Sequence, residues 1–199
     1  MTTKKHKLPS KLSDVLAIAI LDMSKVVKLR DKAIAGRKTS PYRIDMGLWH
    51  VMVPNWTEYG RSGSNPFARC SVCFAGSVMA GSLKVPQNVD TSPENLLDEG
   101  AITARDLLRL HALDKLRRFD VFGALTVFDV ERRTVGRNIE KKMAIEKDVL
   151  AELGFKDARK AASLVNRINS TESLAKPEGA REFLQWMRKL RRALAKRGL

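Results

Sequence analysis

The chain has 199 residues, 44% of them apolar and 30% charged, with 37 lysines and arginines against 22 aspartates and glutamates. That length suits one domain, or one domain with an appended helical lobe, and buries about two-thirds of its unfolded surface without help from metals or disulfides. The apolar content argues against wholesale disorder, the lack of a long uncharged apolar run argues against a membrane span, and two cysteines three apart exclude a disulfide framework and point to a reducing, intracellular setting.

The formal net charge of +15 is unevenly spread. Residues 1–44 hold 11 basic and 3 acidic groups, and residues 154–199 hold 12 and 4. Residues 45–99 are slightly acidic, with 3 basic and 6 acidic groups, and residues 100–153 are nearly balanced, with 11 and 9. Two cationic ends flanking a near-neutral middle suit a polyanionic partner, because each neutralised phosphate releases counterions. Acidic protein surfaces and plain solubility draw on the same charge.

Taken in chain order, a basic leader gives way to a helix from Ser10 to Leu29. There Leu12, Leu16, Ala19, Met23 and Val27 recur at helical spacing. Pro9 and Ser10 mark its start, and Gly36 with Pro41 its exit. Residues 42–69 carry Gly47, Pro54, Gly60, Gly63 and Pro66, which break any long helix, among clustered aromatics. Val51 to Val53 reads as a short strand in this irregular region.

A small-residue helix is predicted over 68–83, with Gly76 and Ala80, and Ser77 and Gly81, each one turn apart. Such a face lets another helix approach closely and would sit at the centre of the core. Ser92 and Pro93 form a start signal, and Thr103 with Asp106 resembles a capping box ahead of a helix to Arg118. That helix would bury Leu108, His111, Ala112, Leu116 and Phe119.

A short helix over Val121–Val130 follows, and then one carried by Ile139, Met143, Leu150 and Leu153 that Gly154 terminates. Asp157 caps a helix through Ile168, Ser170–Pro177 reads as a linker, and a last helix spans about Glu178 to Arg197. The fold class is therefore mainly α, with five or six helices, a core domain over 1–130 and a basic helical lobe over 131–199.

The closing helix is strongly two-faced. Phe183, Trp186, Met187, Leu190 and Leu194 share one stripe, while Arg181, Arg188 and Arg192 lie opposite, flanked by Lys189 and Lys196. Guanidinium forks match phosphate oxygens, so these five cations are the candidate nucleic-acid contacts. A packed terminal helix with a solvated charged face would show the same pattern.

Cys70-x-x-Cys73 supplies two thiols where a structural zinc site needs four ligands, and His50 is a candidate third, with His6, His111 and Asp45 further off. Redox chemistry expects the pair at a helix start in a βαβ unit, and thiols among small apolar residues pack as small hydrophobes. The residues leave burial, metal and thiol chemistry open. No catalytic signature such as a phosphate loop or a Gly-x-Ser-x-Gly elbow occurs, and an enzyme is the less favoured class.

Three segments carry a resemblance. Pro41 to His50 contains Met-Gly-Leu-Trp-His, Cys70 to Ala80 reads Cys-Ser-Val-Cys-Phe-Ala-Gly-Ser-Val-Met-Ala, and Leu110 to Arg117 contains Leu-His-Ala-Leu-Asp. Together they resemble a functionally uncharacterised family of small proteins from tailed bacteriophages and prophages, over roughly residues 10 to 128. In that family Leu and Ala stand where this chain has Phe74 and Ser77. The resemblance implies a phage gene expressed in the cytoplasm of a bacterial host, and it implies Trp49, His50, Cys70 and Cys73 as candidate site or core residues.

The expectation is a phage accessory protein that associates with nucleic acid through cationic helices, largely independently of sequence. The alternatives are a module that binds a host or phage protein, such as a component of defence or transcription machinery, and a thiol- or metal-dependent enzyme using His50, Cys70 and Cys73. No cofactor is expected, zinc being the one candidate.

Overall fold

The computed structural model describes residues 8–36, 93–98, 100–131 and 138–199, together with the backbone of three strands at 42–44, 50–52 and 70–72. Eight helices dominate these residues, and the protein is mainly α. None of the helices is long and apolar enough to cross a membrane.

Helix α1 (Leu12–Ala35) is the longest. It runs six residues past its predicted end, and Gly36 closes it by donating its backbone N–H to the carbonyls of Lys32 and Ile34. Leu12, Val15, Leu16, Ala19 and Met23 are fully buried along its length. Near its start, the N–H and hydroxyl of Ser13 both reach the backbone oxygen of Leu199, which satisfies a donor that a first helical turn leaves open.

Three short strands follow: β1 (Tyr42–Ile44), β2 (His50–Met52) and β3 (Cys70–Val72). Their order is β1-β3-β2, with β3 parallel to β1 and antiparallel to β2. The predicted small-residue helix therefore does not begin at 68, since Cys70–Val72 is extended backbone paired on both sides. A β-branched Val72 among small residues serves a central strand as readily as a helix. The stretch 73–83 lies outside the described residues. The buried cluster that is described draws on residues 8–27, 96–128 and 149–194.

Helix α2 (Pro93–Asp98) starts at the predicted proline. Helix α3 (Ala104–Arg117) carries the full capping box: Asp106 donates its N–H to Thr103 Oγ1, and Asp106 Oδ2 accepts the Thr103 N–H. A tight turn through Phe119, at φ 60, brings in α4 (Val121–Glu131). Asp120 Oδ1 accepts the N–H of Gly123 at 2.7 Å and so caps that helix. Helix α5 (Ile139–Glu152) ends at Gly154, whose φ of 86 suits a residue without Cβ. Asp157 caps α6 (Ala158–Ile168) by accepting the N–H of Lys160.

The predicted linker over 170–177 is instead a short helix, α7 (Thr171–Ala175). Ser170 caps it by accepting the Ser173 N–H, and Leu174 anchors it in the core. Pro177 then opens α8 (Pro177–Ala195) at the first helical position.

Helices α1 and α8 pack along each other, and α3 and α4 form the other close pair. One cluster of buried apolar side chains runs from Leu8 to Leu194 and takes members from both sides of residue 130. The basic lobe expected after 131 thus shares its core with the N-terminal helix.

Among the described residues three cations are buried, which the apolar spacing gave no reason to expect. Arg30 on α1 donates to the carbonyl of Leu174 at 2.6 Å and pairs with Asp31. Arg109 on α3 donates to the carbonyl of Leu8, while Asp106 accepts the Leu8 N–H, so one helix holds both backbone groups of that residue. Lys142 on α5 pairs with Asp129 on α4 at 2.8 Å.

Candidate nucleic-acid interface

Helix α8 owes its orientation to its apolar stripe. Phe183, Met187, Leu190 and Leu194 are fully buried, and Trp186 is half-buried against the edges and faces of Phe119 and Phe155. Burying that stripe turns the opposite side to solvent, and all five sequence-predicted cations are exposed.

Their immediate surroundings differ. Arg181 lies against α1, where its Nε and Nη2 both donate to Asp31 Oδ2, at 3.2 and 2.8 Å. This carboxylate, with its hydrogen bonds first and its charge second, holds the guanidinium more firmly protonated than usual. Lys196 donates to Glu152 Oε1 at 2.6 Å, and Arg197 donates to Glu152 Oε2 at 2.8 Å. Hydrogen bonds from Lys196 and then Arg197 hold the Glu152 carboxyl below the ordinary glutamate range.

The three cations of the predicted set between these ends have no carboxylate within ion-pair distance among the described residues. Arg188 donates to the hydroxyl of Ser24 on α1 at 2.9 Å, and Arg192 donates to the Arg188 carbonyl one turn back. Lys189 stands 4.8 Å over the Trp186 ring, a contact that steadies the side chain while leaving its charge in place. The structure thus divides the predicted set: Arg181 and Lys196 are held by carboxylates, while Arg188, Lys189 and Arg192 present their charge to solvent.

The seam between α1 and α8 is regular. Ser24 meets Arg188 and Asp31 meets Arg181, seven residues forward on one helix and seven backward on the other, while Ser13 meets Arg191 and, past the end of α8, Leu199. The two helices are therefore antiparallel, and one register holds over the span from Ser24 to Asp31. This relation between sequence-distant segments is what the helix pattern of α8 alone could not reveal.

The alternative metal site involves two of the strands. The register sets Cys70 opposite Met52 and Tyr42, and His50 opposite Val72, on neighbouring strands. Trp49 and Cys73 lie outside the described residues. His111 on α3 faces Glu94 on α2 at 3.4 Å. Among the described residues no group of three His, Cys, Asp or Glu gathers to hold a metal ion. A groove of about 320 Å³ between α6, α7 and α8 is lined by Arg167 and Lys176 and also by Glu172, Glu178 and Glu182, a mixture that favours neither sign of ligand.

Comparison of the chain with protein-family models, with curated proteins and with solved structures gives no match.

Proposed function

We propose that this chain is a phage-encoded accessory protein that associates with nucleic acid through its cationic helices, largely independently of sequence. The phage context rests on the resemblance of the Met-Gly-Leu-Trp-His and Cys-Ser-Val-Cys-Phe-Ala-Gly segments. The observation that carries the binding reading is the central stretch of α8, where Arg188, Lys189 and Arg192 are exposed with no carboxylate within ion-pair distance among the described residues. Guanidinium and ammonium groups on a rigid, buried-stripe helix contact phosphate oxygens without reading bases, which gives affinity with little sequence preference.

The test is fluorescence-anisotropy titration of a short DNA duplex across a salt series. A plot of log affinity against log salt should fall linearly, by about 0.9 for each phosphate contacted. Replacing both Arg188 and Arg192 by Gln should make the slope shallower by about 2, at about 0.9 per lost contact, equally for unrelated duplex sequences. Absence of binding by the wild-type chain at low salt would remove the reading.

A further inference from the structure

On the reading that the α8 cations contact phosphates, we infer that the site is a two-helix face whose unassigned half is α1, with Lys25 and Lys28 as its phosphate contacts, and that it fits a duplex better than a single strand. Three observations lead there. First, the fixed antiparallel register sets Ser24 beside Arg188 and Asp31 beside Arg181, so the span of α1 between Ser24 and Asp31 runs alongside the span of α8 between Arg181 and Arg188. Second, at about 100° per residue, Lys28 and Lys25 lie progressively outward from Ser24, while Arg192 and Lys189 lie outward from Arg188. Because antiparallel helices turn in mirrored senses about a shared seam, both sets fall on the same side of the pair. Third, Lys25 and Lys28 are exposed, and no carboxylate lies within ion-pair distance of either among the described residues.

The result is two rows of cations on adjoining helices, whose axes in packed pairs stand about 8–10 Å apart. Arg188 and Arg192 form one row, and Lys25 and Lys28 the other. A duplex presents two phosphate rows across each groove, so both rows of the protein can be satisfied at once. A single strand presents one row, and single-strand binders add exposed aromatic platforms for unpaired bases. Among the described residues the ring that adjoins this face under Lys189, Trp186, packs against Phe119 and Phe155. The Arg188–Ser24 hydrogen bond ties the rows together at their meeting point and sets their spacing. Asp31 at one end and Glu152 at the other neutralise the flanking cations and so bound the face.

The test uses the full chain, a short DNA duplex and a single strand of equal length, in the same salt series. Replacing Lys25 and Lys28 together by Gln should lower the duplex slope by about 2, as the Arg188/Arg192 change does, at about 0.9 per contact. The control replaces Lys141 and Lys147, exposed on α5, by Gln, which removes the same charge elsewhere and should leave the slope unchanged. Circular dichroism melting verifies that both variants are folded.

If the wild type binds the duplex but the Lys25/Lys28 variant behaves like the control, the two-helix face is wrong while α8 binding stands. If the single strand binds as tightly as the duplex, the duplex assignment falls. If the wild type binds neither, the nucleic-acid reading itself fails, and this inference with it.

Discussion

Replacing Glu152 by Gln tests whether the carboxylates at the ends of α8 limit its reach. Glu152 holds two cations at once, Lys196 at 2.6 Å and Arg197 at 2.8 Å. Gln keeps the length and shape of the side chain and can still accept one hydrogen bond, but it carries no charge. Both cations should then become available to a polyanion. If each reaches one phosphate, the slope of log affinity against log salt should steepen by about 1 to 2, at about 0.9 per contact. The assay is the duplex titration described above, with Asp148 replaced by Asn as a control. Asp148 is exposed on α5, and its loss changes net charge by the same unit.

The pH dependence gives the same change a second reading. The Glu152 carboxyl is held below its ordinary value of 4.5 by hydrogen bonds from Lys196 and Arg197. A depressed carboxyl contributes stability at pH above its unfolded value, and that contribution is lost as pH falls through the lower folded value. The difference in stability between wild type and the Gln variant should therefore be constant above 4.5 and close at lower pH. The difference in duplex affinity should close over the same window, because protonation releases the two cations in the wild type as well. A Gln variant whose salt slope matches that of the Asp148 control would refute the argument that Glu152 masks binding groups.

Three further predictions concern the scaffold. Phe183→Ala empties a fully buried position on the face of α8 that packs into the core, and it should cost about 3–5 kcal/mol in urea denaturation. Gly179→Ala places a Cβ over the backbone oxygen of Ser173, which cannot swing away as a side chain would. The variant should lose about 1–3 kcal/mol by the same measurement, through displacement of α7 from α8. Thr103→Ala removes a hydroxyl that accepts from the Asp106 N–H and donates to Asp106 Oδ2 at 2.6 Å. It should cost about 0.5–2 kcal/mol, the bond from the backbone N–H of residue 103 to Asp106 Oδ2 being kept.

How far the sequence discloses this fold depends on whether a signal is local. Caps are local, and Thr103–Asp106, Asp157 and Gly154 all act within a turn of where they stand. The stripe of α8 is equally legible, since its core contacts repeat at helical spacing. Helix α3 shows the limit. Its expected face ran through Leu108 and His111, which are only half-buried, and missed Asp106 and Arg109, which are buried. Those two charged side chains point inward because the backbone of Leu8 needs partners there. Apolar periodicity counts them as outward-facing and so rotates the helix. The opposite error occurs on α5, where Ile139 and Met143 follow the apolar pattern yet are 59% and 58% exposed. The linker reading of 170–177 failed for a third reason, that a five-residue helix offers too few apolar positions to show a period.

The candidate site adds a harder case, because its chemistry depends on pairs that are distant in sequence. Arg181 and Arg188 are the same residue type, seven apart on one exposed face, and within α8 the distinction is the weak attraction of Glu178 for Arg181. Their difference comes from α1, which carries a carboxylate at Asp31 where it meets Arg181 and a hydroxyl at Ser24 where it meets Arg188. A carboxylate neutralises its guanidinium and must be displaced before phosphate can bind. A hydroxyl orients the guanidinium and leaves the full charge for a ligand. Exchanging those two α1 residues, Ser24→Asp together with Asp31→Ser, should move the available arginine from 188 to 181 while keeping net charge constant. Arg188→Gln should then leave the duplex salt slope of the exchanged chain unchanged, where Arg181→Gln should lower it by about 0.9. If Arg188 remains the sensitive position after the exchange, the α1 partner does not decide which arginine reaches the ligand.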